Sequence, residues 1–397
     1  MTNKKSIAII GGGASALSLA SFLDEQLFDV TIYEKNKTLG RKFLVAGKGG
    51  FNLTHSEPVS NMISKYSPSG LLDRALLEFD NWKFRNWLLS IGIPTYVGSS
   101  KRVFPEKGIK PIKVLSAIKE SILSKGHKIV YDSEWIGWSE AKNLMFNHKK
   151  EIVADITVFC LGGGSWKITG SDGSWTKLFG NEGIETVPFV SANCAYSVQW
   201  DLDFTSKVNG KPLKNIAIES LGRGIEGEAV ITDFGIEGNA VYALTNEIQS
   251  QLFEGKTALI SIDLKPMLSL SEIDKRIANS SRKITEILSR DLKLEKVKIQ
   301  LLKSILTKDE FLDREGLAKK IKSLTIEVFK ADELDKAIST TGGLALTEIS
   351  ETYQLNKLPN SYAIGEMLDW NAPTGGYLLQ ACFSMGNELA THLNEKY

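Results

Sequence analysis

The sequence predicts an α/β fold in which a parallel sheet with flanking helices is split by a long insertion of antiparallel strands and helices. Three observations predict it. Near the N-terminus, Ser6-Ile7-Ala8-Ile9-Ile10 is β-branched and apolar, the composition of a strand buried on both faces. It breaks at Gly11-Gly12-Gly13, after which Leu17, Ala20, Leu23 and Leu27 recur at helical spacing from Ala14 onward. From Val187 to Lys265 the pattern changes to short alternating stretches, such as Ile216-Ala217-Ile218 and Ala229-Val230-Ile231, set between Gly and Asn turns. From Thr340 to the end, the glycine-rich style of the start returns.

Strand, glycine turn and helix together make the context of a Rossmann-like dinucleotide fingerprint. Here it is Gly11, Gly13 and Ala16, the alanine variant of the third position. Gly11 can make the tight turn. Gly13, lacking a Cβ, lets backbone N–H groups at the helix start, by Ala14 and Ser15, approach a pyrophosphate. Ala16 is small enough for the helix to sit close on the strand. A second strand, Val30-Thr31-Ile32-Tyr33, ends at Glu34. That acid lies about 20 residues past the glycines, where it would accept hydrogen bonds from a ribose hydroxyl. The loop that follows is rich in donors and cations: Lys35, Arg41 and Lys42, then Gly47-Lys48-Gly49-Gly50-Phe51-Asn52. Arg41 and Lys42 could neutralise a pyrophosphate, and Gly47, Gly49 and Gly50 would let backbone press against a flat ligand, with Asn52 beside it. A solvated basic loop is the alternative, and its position directly after Glu34 favours ligand contact.

Leu71 to Ile91 reads as one or two amphipathic helices, with Leu72, Leu76, Phe79, Trp82 and Trp87 as core candidates. Lys101-Arg102-Val103-Phe104-Pro105 is an exposed-looking basic and aromatic segment. A helix from Ile112 to Leu123 closes at Gly126, and His127 to Trp138 is strand-like, expected to offer backbone groups to adenine. Ile152 to Leu161 is a further buried strand ending in Gly162-Gly163-Gly164. No helical pattern follows those glycines, so Gly162 and Gly163 are expected to form a turn packed on the same cofactor rather than a second dinucleotide fold. Ser269-x-x-Glu272 and Thr307-x-x-Glu310 are capping boxes that open helices in the 269–339 stretch.

Ser361-Tyr362-Ala363-Ile364 is a strand that stops at Gly365-Glu366, and Gly375-Gly376-Tyr377 opens a helix over Leu378–Leu393. These are the features a flavin requires. Glu366 can hold a ribityl hydroxyl, and the helix dipole can stabilise negative charge near a reduced pyrimidine ring. The expected cofactor is therefore FAD. The expected domains are a discontinuous FAD-binding Rossmann-like domain (1–186 and 340–397), an inserted β-barrel-like subdomain (187–268) and a helical subdomain (269–339).

Among the 397 residues, 48 Lys+Arg face 47 Asp+Glu, a formal net charge of +1, so no global field argues for nucleic acid or an anionic membrane. Cys160, Cys194 and Cys382 are far apart, which speaks against a dithiol centre or a zinc site, and no metal is expected. No apolar run approaches the roughly eighteen residues of a membrane span, and a cytoplasmic location is expected.

With these residues on the page, the chain resembles the YhiN/BaiN-like flavoproteins, a family that includes aminoacetone oxidase-like enzymes. The resemblance rests on Ile9-Ile10-Gly11-Gly12-Gly13-Ala14-Ser15-Ala16, Leu39-Gly40-Arg41-Lys42, Arg102-Val103-Phe104-Pro105, Gly162-Gly163-Gly164-Ser165-Trp166, Thr341-Gly342-Gly343, Gly365-Glu366-Met367-Leu368-Asp369 and Pro373-Thr374-Gly375-Gly376-Tyr377. It implies FAD, a Rossmann-like domain and an inserted barrel plus helical domain. One stretch departs: where family members carry Ser-Gly-Gly-Gly-Arg-Cys-Asn, this chain has Ala46-Gly47-Lys48-Gly49-Gly50-Phe51-Asn52, so the arginine and cysteine are replaced by Gly50 and Phe51.

The expected function is that of an FAD-dependent oxidoreductase exchanging a hydride between flavin N5 and a small organic substrate, an amine among the candidates. The alternative is a non-redox flavoprotein serving as a binding or RNA-modification accessory protein. The partner expected is a small molecule, with neither nucleic acid nor membrane, and the oligomeric state stays open. No catalytic residue is assigned. Lys48, the titratable group in the tightest part of the glycine loop, is a candidate base, and His55 is a candidate for proton transfer.

Overall fold

The apolar run near the N-terminus becomes β1 (Lys5–Ile10), buried from Ile7 onward. In the computed structural model, residues 4–45, 51–255 and 257–397 are described. After β1 come α1 (Ala14–Phe22), β2 (Phe28–Tyr33), α2 (Arg41–Val45), β3 (Thr54–His55), α3 (Val59–Ile63), α4 (Asp73–Glu78) and α5 (Asn81–Ser90). β4 (Thr95–Val97) and β5 (Arg102–Pro105) join β3 in an antiparallel sheet ordered β3-β5-β4. α6 (Pro111–Ser124) leads to β6 (Lys128–Val130) and to a small antiparallel sheet of β7 (Trp135–Trp138), β8 (Leu144–Phe146) and β9 (Lys150–Ile152). Then follow β10 (Ile156–Phe159), α7 (Thr176–Asn181) and β11 (Thr186–Ala192).

The middle of the chain carries β12 (Tyr196–Ser197), α8 (Leu202–Val208), β13 (Lys211–Ser220), β14 (Arg223–Ile231), β15 (Gly235–Glu237), α9 (Asn239–Tyr242), α10 (Thr245–Glu254) and β16 (Ala258–Asp263). The helices α11 (Leu270–Ala278), α12 (Ile284–Glu286), α13 (Lys296–Ile305), α14 (Lys308–Leu312) and α15 (Leu317–Lys322) precede β17 (Leu324–Val328). The chain ends with β18 (Ser339–Leu344), β19 (Ser361–Ala363) and α16 (Tyr377–Lys396). Contacts divide it into two compact units, Met1–Val190 with Ser339–Tyr397, and Ser191–Ile338.

In the first unit the sheet runs β19-β10-β1-β2-β6 and every pairing is parallel. A parallel sheet covered on both faces demands continuous apolar strands, and β10 is buried at all four positions. α1 stops at Phe22, short of the Leu27 that the periodicity suggested, because Leu23 turns extended and Leu27 N–H bonds the Asp24 carbonyl in the turn into β2. α16 packs on α1 at Gly386, where an added Cβ would lie 2.6 Å from Ser18 Cβ and 2.8 Å from Ser15 O. Trp82 departs from its expected core role and is 63% exposed. It sits two residues, a half-turn, from Phe84, and Phe84 and Leu88 form the buried face of α5.

In the second unit the order is β12-β15-β14-β13-β16-β17. The segment after β17 returns to β12, with Ser197 N–H donating to the Lys330 carbonyl (2.8 Å) and Phe329 N–H donating to the Ser197 carbonyl (3.0 Å). These bonds remove the free edges that an open antiparallel sheet would leave. Strand residues Ile218 and Ile262 share one core with Ile273 of α11 and Leu301 of α13. Both capping boxes form, with Ser269 and Thr307 each accepting from the backbone N–H of the glutamate three residues on. Among the described residues, no helix is long and apolar enough to cross a membrane.

The contact at Gly386 generates a stability prediction. Gly386→Val forces α16 away from α1, and overpacking of this kind costs about 1–3 kcal/mol. The expected outcome is a lower thermal midpoint together with weaker cofactor retention, because α1 starts at the glycine loop. Calorimetry and absorbance of the purified variant check it, and an unchanged midpoint would contradict the close packing.

Candidate cofactor site

The glycine loop follows from three steric facts. Gly11 adopts φ +98°, and a Cβ there would meet the Cys160 carbonyl oxygen at 2.5 Å. At Gly12 a Cβ would meet Leu39 Cδ2 at 2.3 Å and Glu34 Oε2 at 2.8 Å. Gly13, the residue capping α1, has open space where its Cβ would be, and the start of α1 has no side-chain cap. The backbone donors of that first turn, around Ala14 and Ser15, are therefore available to an anion. Ala16 is fully buried under the helix, as its small size required.

Glu34 stands at the end of β2 and is buried. Its Oε2 accepts from Gly12 N–H (2.8 Å), and its Oε1 accepts from the backbone N–H of Asn36 (2.8 Å) and from Asn36 Nδ2 (2.6 Å). The Gly12 carbonyl in turn accepts from Gly40 N–H (2.9 Å), which brings the start of α2 to the loop. Arg41 donates to Asn36 Oδ1 (2.6 Å). Lys42 Nζ reaches Glu366 Oε2 (2.8 Å), Glu366 Oε1 (2.9 Å) and Ser165 Oγ (2.8 Å). Lys35 pairs with Asp172 (2.9 Å).

The second glycine cluster is shaped by neighbouring protein. Gly162 is left-handed (φ +72°), and its carbonyl accepts from Trp175 Nε1 (3.0 Å). Gly163 leaves no room for a Cβ, which would lie 2.3 Å from Thr340 Oγ1 and 3.2 Å from Glu366 Cδ. Gly164 is held by the Phe189 ring, 2.9 Å from where its Cβ would be. The chain then returns at Gly365 (φ +89°), whose missing Cβ makes room for Ser15 Oγ at 2.4 Å. Gly375 (φ +121°) and Gly376 (φ +102°) open α16 without a side-chain cap, and a Cβ on Gly376 would strike the Thr54 backbone at 2.5 Å.

Around that terminus lies a cluster of aromatic and charged groups. Tyr377 donates its hydroxyl proton to Glu57 Oε1, and its ring stacks on His55 with centroids 5.3 Å apart. Burial, then the hydrogen bond to Glu57, pushes the Tyr377 hydroxyl well above the usual phenol range. His55 Nδ1 accepts from Glu57 N–H (3.3 Å), and burial holds the imidazole pKa below its ordinary value, with Glu57 opposing that shift. A Cβ at Gly375 would lie 3.6 Å from Arg102 Nε, so the guanidinium flanks the same terminus.

The arrangement fits a dinucleotide carrying a flavin. Two helix starts without side-chain caps could offer N–H groups to a pyrophosphate and to pyrimidine carbonyls, and Glu34 and Glu366 are carboxylates that could accept from ribose and ribityl hydroxyls. Gly47, Lys48, Gly49 and Gly50 lie outside the described residues, whereas Asn52 is half-buried just before β3. The sequence reading gave no site role to Gly12, Ser165, Thr340, Glu57 or Arg102. Gly12 had a visible signal, a third consecutive glycine in the fingerprint. The other four are single polar residues, each with at least one neighbour from a distant segment.

A family model described as "HI0933-like protein Rossmann domain" matches residues 5–392. The chain is 24% identical, over 98% of each chain, to a "Ribosomal RNA dihydrouridine synthase" of Haemophilus influenzae. It is also 24% identical to a "3-dehydro-bile acid delta(4,6)-reductase" of Clostridium scindens, over 96% of this chain and 97% of that one. Among solved structures, a flavocytochrome c3 fumarate reductase superposes with a TM-score of 0.51 at 14% identity, covering 98% of this chain and 79% of that one, a likeness of fold.

Two outcomes are expected from this geometry. Glu34→Ala removes the acceptor that orders Gly12 and Asn36, and should weaken FAD binding by about 1–3 kcal/mol, measured by titrating apoprotein with FAD. The second concerns pH. The folded state holds His55 below the ordinary histidine value of 6.5, so its contribution to stability is present above that pH and is lost as pH falls through it. The thermal midpoint should therefore drop from pH 7.5 to 5.5, and His55→Gln should show a shallower drop.

Proposed function

Because the chain belongs to the HI0933-like Rossmann family and is an FAD-dependent oxidoreductase, we propose that it reduces a carbon–carbon double bond conjugated to a carbonyl in an organic substrate. The observation that carries this reading is Arg102, a fixed cation beside the glycine-opened start of α16. The names of two relatives support it. Dihydrouridine is uridine saturated across its ring double bond, and a delta(4,6)-reductase of a 3-dehydro bile acid saturates double bonds conjugated to a ketone. Both acceptors are alkenes activated by a carbonyl.

Bound FAD, once reduced by an external two-electron donor, would supply hydride chemistry at this position. The chain's residues bind, orient and manage charge. The α1 terminus serves the pyrophosphate, Glu34 the adenosine ribose, and Glu366, held by Lys42, the ribityl chain. The α16 terminus serves the pyrimidine carbonyls. Adding hydride to the far carbon of the alkene drives negative charge onto the carbonyl oxygen, and the Arg102 guanidinium stabilises it there. The α-carbon then needs a proton. Tyr377, His55 and Glu57 are titratable groups beside this terminus, with the Tyr377 proton directed at Glu57. Three buried, unpaired thiols suit a reducing cytoplasm.

Amine oxidation is the competing reaction, and it runs the hydride the other way. Flavin in the purified protein is reduced anaerobically and mixed with a Δ4-3-ketosteroid, uridine or no acceptor. Oxidised protein is mixed with small amines. The expected outcome is single-turnover flavin reoxidation by a conjugated carbonyl compound, slowed about 100-fold or more in Arg102→Met with FAD retained. Flavin bleaching by amines, with no reoxidation by any conjugated acceptor, would overturn the reading.

A further inference from the structure

The β3-β5-β4 sheet has two unlike faces. Thr54 and Val103 are fully buried, whereas Arg102 and Phe104, which alternate with Val103 along β5, are half-buried. Register pairs His55 with Arg102 and Phe104 with Tyr96, so these four side chains share the outward face. The row starts at the cofactor end, where His55 stacks on Tyr377 and Arg102 flanks Gly375. It ends at the surface, where Tyr96 is 39% exposed and its ring stacks on Phe104 with centroids 5.7 Å apart and planes 28° from parallel.

Charge runs with the aromatics. From Thr95 to Lys113 the cations are Lys101, Arg102, Lys107, Lys110 and Lys113, against the lone acid Glu106, in a chain whose formal net charge is +1. The four lysines are exposed. The even balance of the whole chain therefore conceals a local basic stretch beside a stacked aromatic pair. Aromatic platforms take the π-face of any base, and cations beside them take the phosphates, which is how single-stranded nucleic acid is bound without duplex geometry.

We propose that this face binds single-stranded RNA, one base stacking on the Tyr96–Phe104 pair while Lys101 and the exposed lysines that follow it hold the adjoining phosphates. The row gives the strand a direction, toward the start of α16. Uracil is itself an alkene conjugated to a carbonyl, so the surface deepens the reading above. It rests on that reading for the chemistry, but not for the binding.

The test uses FAD-loaded full-length protein and a fluorescein-labelled oligouridylate of twelve nucleotides, with anisotropy read at 50 and 200 mM KCl. Three neutralised phosphates give a log–log salt slope of about −2 for a single strand. Tyr96→Ala should weaken binding about 5- to 100-fold and Tyr96→Phe should restore it, as expected for a stacking contact. Lys101→Ala should flatten the slope by about 0.7. All three variants should keep their FAD content and their rate of bleaching by dithionite. Absent binding at 50 mM KCl, or binding indifferent to Tyr96→Ala, overturns the proposal. So does a Tyr96→Ala effect on NADPH affinity without one on oligouridylate, which would make the surface a nicotinamide dinucleotide site. Turnover of the Δ4-3-ketosteroid in the same preparation reads the earlier proposal separately: steroid reduction without RNA binding overturns this surface alone.

Discussion

A buried carboxylate that accepts from a glycine N–H is the interaction on which the first unit's site depends. Glu34 Oε2 lies 2.8 Å from Gly12 N and Glu34 Oε1 lies 2.8 Å from Asn36 N, so the loop after β1 and the loop after β2 are tied to one side chain. Burying that charge is tolerable because backbone and side-chain donors satisfy it. Everything downstream inherits its position. Gly12 receives Gly40 N–H, Gly40 starts the turn into α2, and α2 carries Lys42 to Glu366. A side chain at position 12 would displace both Leu39 and the carboxylate, which is why that position is glycine.

The other half of the site arrives from the end of the chain. β19 enters the sheet beside β10 with Thr157 opposite Ser361, and this parallel pairing aligns Gly365 with Ser15 at the start of α1. Gly386 then lets α16 lie on α1 at backbone distance, which fixes the Gly375–Gly376 turn against Thr54. The glycines at 163, 365, 376 and 386 are thus demanded by close approach of protein to protein. Left-handed backbone is an added demand at 365 and 376. These four glycines mark where distant segments of the first unit converge.

The parallel sheet, its first helix and the terminal helix were readable because each depends on near neighbours: apolar runs, period and glycine punctuation. The two capping boxes were readable for the same reason, since both partners lie within one helical turn. Trp82 shows the limit. Its composition said core, but the face of α5 is decided by Phe84 and Leu88, and only packing selects among apolar residues a half-turn apart. The loop cations show another. Lys35 and Arg41 were legible as charges near a ribose-binding strand, yet Asp172 and Asn36 hold them, partners that spacing does not reveal.

The sequence by itself determined the α/β class, the glycine fingerprint with its acid, the FAD cofactor and the interrupted order of the chain, because these are encoded in contiguous patterns of size and polarity. Tertiary structure alone decided that Lys42 meets Glu366 across 324 residues, that Thr340 fits against Gly163, and that His55, Arg102, Phe104 and Tyr96 share one sheet face. Those choices depend on register and on the approach of distant backbone. A side chain acquires its partner there from the path of the chain rather than from its neighbours in sequence.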